Sequence, residues 1–277
     1  MNESNLEYLK KSLDYLGFGS MLNEVLESAI RREIPNFSVG ISTYFEPQIR
    51  LGSDFKQKDT VQFTLDFNRA KDSDSYFLND YTAILNTHNG IERRQEFNLE
   101  RDHRITASQA YRLLLGAALH KEVLQRGDGE NSQAEKKDVW MKLNLDLIDS
   151  YGRHPLTKIH SNYGFDLEAA IDKYPISWQK ENERAELMES LKKGAFGKVA
   201  MEIEGKLQFA VVSANPRMKN LDVYDEQMSP VRNDRIFGQE PKKIELSGQN
   251  FNAAGQHEAF SQQAGDAHQQ SRGRGRG

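Results

Sequence analysis

The chain contains no cysteine, which removes disulfide staples, thiolate nucleophiles and sulfur-bound zinc together, and fits a reducing compartment. It also lacks any apolar run near the roughly 20 residues that a membrane-spanning helix needs. The opening "MNESNLEYLKKSLDYLGFGS" mixes acids and lysines where a secretory leader would carry an apolar core. These absences set the expectation of a cytoplasmic protein with no membrane contact. Hydrophobic residues make up only 37% of the chain against 28% charged, so much of its length must be surface or tail. Even so, 277 residues suffice for one large domain or two modest ones with a true core.

Charge is unevenly spread. From Pro241 onward five Lys/Arg face three acids, so the net charge of −4 divides into +2 after residue 240 and −6 before it. A body of that sign is a poor general attractor of phosphate. The tail "SGQNFNAAGQHEAFSQQAGDAHQQSRGRGRG" has two Phe as its only large apolar residues. That is too little to offset the entropy of ordering, so residues 241–277 are expected to be disordered.

What dominates the remainder is alternation. "VQFTLDF" places Val61, Phe63, Leu65 and Phe67 on one face, and "VWMKLNLDL" does the same with Val139, Met141, Leu143, Leu145 and Leu147 opposite Trp140. "LQFAV" puts Leu207, Phe209 and Val211 together, and "KVAMEI" aligns Val199, Met201 and Ile203. A period of two over such lengths indicates strands with one buried face.

Two of these strand groups follow the same prelude. "QAYRLLLGAALHKEVL" and "LMESLKKGAFGKVAMEI" are each an amphipathic helix ending at a glycine, Gly116 or Gly194, and leading into a strand. Thr106 and Gln109 form a capping box at the start of the first. Glycine suits the left-handed residue just past a helix because no Cβ opposes positive φ. A looser version precedes them, with helix "MLNEVLESAIRREIP" stopped by Pro35, then "FSVGISTYF", "TVQFTLDF", "SYFLNDYTAIL" and, after the Asn89-Gly90 turn, "RRQEFNL". Gly17 and Gly19 in "LGFGS" separate two helices at the start. The expected fold is therefore α+β, with about three tandem units of a helix plus an antiparallel three-stranded sheet packed side by side. The boundaries fall at 1–104, 105–176 (with a short connecting helix in "YGFDLEAAIDKYP"), 177–240 and the tail 241–277. Chance recurrence in an ordinary α+β domain is the alternative.

The phrases "NLEYLKKSLDYLGFG", "YFLNDYTAIL", "QAYRLLLG", "HSNYGFDLEAAI", "LMESLKKG" and "LDVYDEQM" resemble an uncharacterised bacterial family over residues 5–230. Some members of that family travel with conjugative elements, so the resemblance implies an accessory role in mobile DNA. It carries over no catalytic residue.

Motifs for chemistry are missing. "LGFGS" has neither the third glycine nor the downstream Lys-Ser/Thr of a phosphate loop. "DSDSYFLNDYTA" has Phe77 and Ala83 where a calcium loop needs Gly and Glu, and reads as a hairpin turn. There is no G-x-S-x-G elbow. His154 and His160, with Asp146 and Asp149 upstream, lack the spacing of a ligand pair, and no cofactor or metal is expected. The Arg-Gly-Asp at 126–128 is read as chance. Two surfaces stay open. Arg272, Arg274 and Arg276 alternate with glycine, giving flexible contacts to about three phosphates of DNA or RNA without sequence readout. Trp140, Tyr81 and Tyr163 are candidates for an outward aromatic surface that docks an unidentified protein partner, although an added helix or neighbouring unit could equally cover Trp140. The leading expectation is a non-enzymatic interaction module. A weak nucleic-acid-binding accessory protein and an enzyme whose site forms only in three dimensions are the alternatives.

Overall fold

The structure is a computed structural model that describes residues 2–47, 58–99, 104–126 and 134–238. The tail beyond residue 240, with Arg272, Arg274 and Arg276, and the Gly127–Asp128 portion of the Arg-Gly-Asp tripeptide lie outside the described residues. Two helices open the chain, α1 (Glu3–Tyr15) and α2 (Asn23–Arg31), followed by β1 (Asn36–Phe45), β2 (Asp59–Arg69), β3 (Tyr76–Asn86) and β4 (Glu92–Asn98). Next come α3 (Ala107–Leu115), β5 (Leu119–Arg126), β6 (Ala134–Leu143), β7 (Leu156–His160) and α4 (Leu167–Asp172). The last group is β8 (Ile176–Ser177), α5 (Glu183–Lys192), β9 (Gly197–Ile203), β10 (Lys206–Asn215), β11 (Asn220–Tyr224) and α6 (Asn233–Phe237). The protein is thus α+β, with three antiparallel meanders among the described residues: β1-β2-β3-β4, β5-β6-β7 and β8-β9-β10-β11.

Four helices end in one way. The left-handed residues Gly17, Glu33, Gly116 and Gly194 follow α1, α2, α3 and α5. In each case the next amide reaches back five residues: Phe18 N–H to Leu13, Ile34 to Ala29, Ala117 to Arg112, Ala195 to Ser190. This Schellman closure satisfies carbonyls that the helix leaves orphaned. Where α2 lacks a glycine, Glu33 takes its place at φ 54°, and the chain enters β1 past Pro35. The Thr106–Gln109 capping box starts α3 as its sequence indicates.

The strands bury two cores. In the first, α1, α2 and α3 pack with Val61, Phe63, Leu65 and Phe67 of β2, Tyr81 and Leu85 of β3, and Val139, Met141 and Leu143 of β6. In the second, Trp140 of β6 and Ile159 of β7 pack with Leu167 and Ile171 of α4, Leu187 and Leu191 of α5, and Val199, Met201, Ala210, Val212 and Val223 of the last sheet. The Val139–Met141 stretch of β6 is therefore buried on both faces and belongs to both cores.

Polar anchors fix the layers. Asp59, buried at the start of β2, accepts the His88 backbone N–H at 2.8 Å and the Tyr111 hydroxyl at 2.7 Å, and lies 2.9 Å from His88 Nδ1. One carboxylate thus joins the first sheet to α3. Arg112 of α3 donates to the Lys193 carbonyl at 2.5 Å, linking the C-terminal ends of α3 and α5.

Two expectations from alternation fail. Leu207 and Phe209 are 64% and 54% exposed, because the residues of β10 that face the core are Ala210, Val212 and Ala214. The stretch "FAVVSA" is apolar at both parities, so period two cannot choose the face. Strand β6 ends at Leu143, leaving Leu145 and Leu147 in a loop.

Gly194 has two reasons to be glycine. Its φ is 75°, and a Cβ there would lie 2.3 Å from Leu119 Cδ2 and 3.2 Å from the Ala118 carbonyl oxygen. Gly205, in the β9–β10 turn, has φ 72° but nothing within 4 Å. Gly205→Ala is expected to cost about 1 kcal/mol from backbone strain alone, and Gly194→Ala about 3 kcal/mol from strain plus overpacking. Thermal unfolding followed by circular dichroism should show melting points lower by about 2–4 °C and about 6–12 °C respectively.

Candidate interaction site

The β6–β7 connection, residues 144–155, is an exposed segment held by its own hydrogen bonds. Asn144 N–H and Pro155 O close its base at 2.9 Å, and Asp149 N–H donates to Arg153 O at 2.9 Å. The Asp149 side chain accepts from the amides of Tyr151 and Arg153 at 2.9 Å each, and its second oxygen from Arg153 Nε at 2.8 Å. These bonds hold the Asp149 carboxyl below its ordinary range, backbone donation from Arg153 contributing most. His154 is buried, donating its amide to Gln95 Oε1 of β4 at 2.8 Å, while its Nδ1 lies 2.9 Å from the Leu147 carbonyl oxygen. An acceptor carbonyl there places the proton on Nδ1. Arg94 of β4 donates to the Tyr151 carbonyl at 2.8 Å, and the Arg153 guanidinium lies 4.9 Å from the Tyr151 ring centroid.

Against this frame, Leu147, Ile148 and Tyr151 are 56%, 67% and 70% exposed. A loop that satisfies its own backbone while directing three large apolar side chains to water is preorganised for contact. Grooves flank it. One of about 240 Å³ lies between β4 and the loop, lined by Glu96, Phe97, Arg153 and His154. Another of about 400 Å³ separates the middle and last sheets. There Lys142 Nζ meets Asp222 at 2.8 Å, Asn215 donates to the same carboxylate at 2.6 Å, and Tyr224 and Arg217 complete the wall. Burial, with Asp222 beside it, pushes the Tyr224 phenol up to about 12.

The aromatic residues singled out from sequence land differently. Tyr81 is fully buried and donates its hydroxyl to the Ile105 carbonyl at 2.9 Å. Trp140 is 8% exposed, with Phe165 edge-on at 5.2 Å and the His120 ring at 5.1 Å. A neighbouring layer covers it, and neither residue offers a surface. Tyr163 alone is outward, 45% exposed, with its hydroxyl given to Arg217 O and Lys219 Nζ over its ring. Leu147, Ile148 and Tyr151 were missed because "LNLDLIDSY" reads as continued strand; the Asp149-x-x-x-Arg153 pair was the available signal.

His160 ends β7 while His154 lies in the loop two residues before its start, six positions away, and the two are not brought together as a ligand pair. Among the described residues no three His, Asp or Glu side chains come together as a metal site, and no helix is long and apolar enough to cross a membrane. Comparison with protein-family models, with curated proteins and with solved structures finds no match to this chain.

The Tyr224 phenol yields a pH test. Unfolded, it loses its proton near 10.0; folded, it keeps it to about 12. The unfolded state therefore binds fewer protons between those values, and the stabilisation present below pH 10 is lost as pH rises through 12. Tyr224→Phe should flatten part of that decline in urea midpoint, and a spectrophotometric titration at the tyrosinate band should lose one late-titrating phenol. Tyr81, Tyr111 and Tyr174, also raised chiefly by burial, act in the same direction.

Proposed function

We propose that this chain is a non-enzymatic protein-interaction module, and that the β6–β7 loop is the part that meets its partner. The observation that carries the reading is the exposure of Leu147, Ile148 and Tyr151 on a loop held by Asp149, Arg153, His154 and Gln95. Apolar side chains on an ordered segment forgo little conformational entropy on docking into a partner's pocket. We further infer that α3-β5-β6-β7 and α5-β9-β10-β11 are two copies of one helix-plus-meander plan, with the first 104 residues a looser third. The shared glycine closures at Gly116 and Gly194 and the common strand order support it.

A photo-crosslinking amino acid placed at Ile148 should give a discrete adduct in cells, absent when the same group replaces exposed Glu24 on α2. The Leu147→Ser/Ile148→Ser/Tyr151→Ser variant should melt within a few degrees of the parent yet lose partner binding. No adduct at position 148, or the same adducts at both positions, would count against the loop.

The second reading, an accessory nucleic-acid contact, rests on Arg272, Arg274 and Arg276 and on the charge division at residue 240. The resemblance to a family that travels with conjugative elements agrees with it. A chain lacking residues 271–277 should retard single-stranded DNA less than the full chain at low salt, with a log–log salt slope smaller by about 2–3. No retardation by the full chain would end this reading.

A further inference from the structure

Among the described residues, the last sheet has an open edge. All of β9 pairs with β10, but on its other side β8 covers only Met201 and Ala200, with Glu202 N–H donating to Pro175 O at 3.1 Å. Backbone groups alternate sides along a strand, so the N–H and C=O of Ala200 and Lys198 point the same way as those of Glu202. The next ladder partner, opposite Lys198, would be Gln179. Its amide is taken by Glu183 Oε2 at 2.9 Å, which turns the chain into α5 and ends β8 after two residues. The edge at Lys198 is left facing a groove of about 440 Å³.

The groove's chemistry selects its occupant. Trp178, Leu187 and Phe196 give it apolar walls, Lys198 Nζ lies 4.3 Å over the Phe209 ring while paired with Glu226, and Glu183 and Glu186 stand on the α5 side. Those two carboxylates accept from the Gln179 amide and from Asn182 Nδ2, and among the described residues neither has a cationic partner. An added strand lies about 4.8 Å from its neighbour, which sets it between β9 and the Trp178–α5 wall. We propose that this groove binds an extended, basic peptide segment of a partner protein by strand addition to β9. The segment continues the register of β8, exchanging hydrogen bonds with Lys198, placing an apolar side chain against the aromatic walls, and setting Lys or Arg beside Glu183 and Glu186. The inference rests on the reading of the chain as an interaction module but uses a face separate from the β6–β7 loop.

The test is titration of the ¹⁵N-labelled full chain with a short synthetic peptide that alternates lysine with valine and phenylalanine. Binding should shift the Lys198 amide resonance and slow its hydrogen exchange. The same peptide with its lysine backbone nitrogens methylated, then with its valine and phenylalanine nitrogens methylated, should bind in only one case, because a single parity donates to β9. Glu183→Gln/Glu186→Gln should weaken binding about tenfold or more. The Leu147→Ser/Ile148→Ser/Tyr151→Ser variant should bind the peptide like the parent, which separates this proposal from failure of the loop reading. Absence of binding, shifts that bypass Lys198, or equal binding by both methylated peptides would overturn it.

Discussion

The architecture depends on the Val139–Met141 stretch of β6 being buried on both faces. Val139, Met141 and Leu143 face the core formed with the first sheet, while Trp140 and Ile159 face the core formed with α4, α5 and the last sheet. A two-faced strand cannot slip by one residue without exchanging Trp140 for Val139 or Met141, which fit different cavities. The register of β6 therefore couples the two cores.

Helix ends complete this coupling. A Cβ at Gly194 would lie 2.3 Å from Leu119 Cδ2, so Leu119 would have to shift, and Arg112 donates its guanidinium to the Lys193 carbonyl at the end of α5. The repeated glycine closures thus turn each chain segment into its following strand and also bring α5 against β5. The Asp59 side chain does comparable work on the other side, gathering the His88 amide and the Tyr111 hydroxyl onto one buried carboxyl group. Burial chiefly, then that hydrogen bond, pushes the Tyr111 phenol up, so the network is set with the tyrosine as donor.

The surfaces left for partners follow from what this packing does not use. Among the described residues no layer covers Leu147, Ile148 and Tyr151 of the β6–β7 loop, and the hydrogen bonds of Asp149 and His154 hold the segment in place. The last sheet is covered by helices on the face of Val199 and Met201, which leaves Leu207 and Phe209 of β10 in water. Its first strand is cut short by the Glu183 cap, which opens the edge of β9. Both features arise where a local hydrogen bond overrides continuation of a strand.

Much of the fold was legible in local pattern. The capping box at Thr106, the glycine closures at Gly116 and Gly194, the turn at Asn89-Gly90 and nearly every strand could be read because they depend on φ, ψ preferences and period two. Three things depended on contacts between distant segments: that Trp140 and Tyr81 are covered, that β10 faces its core through Ala210 and Val212, and that Leu147, Ile148 and Tyr151 are not. Alternation states that a strand has two different faces, and only the neighbouring layers decide which of them meets water. The sequence by itself determined the helices, strands and their closures; tertiary packing decided which apolar residues became core and which became surface, because burial is a property of neighbours and not of spacing.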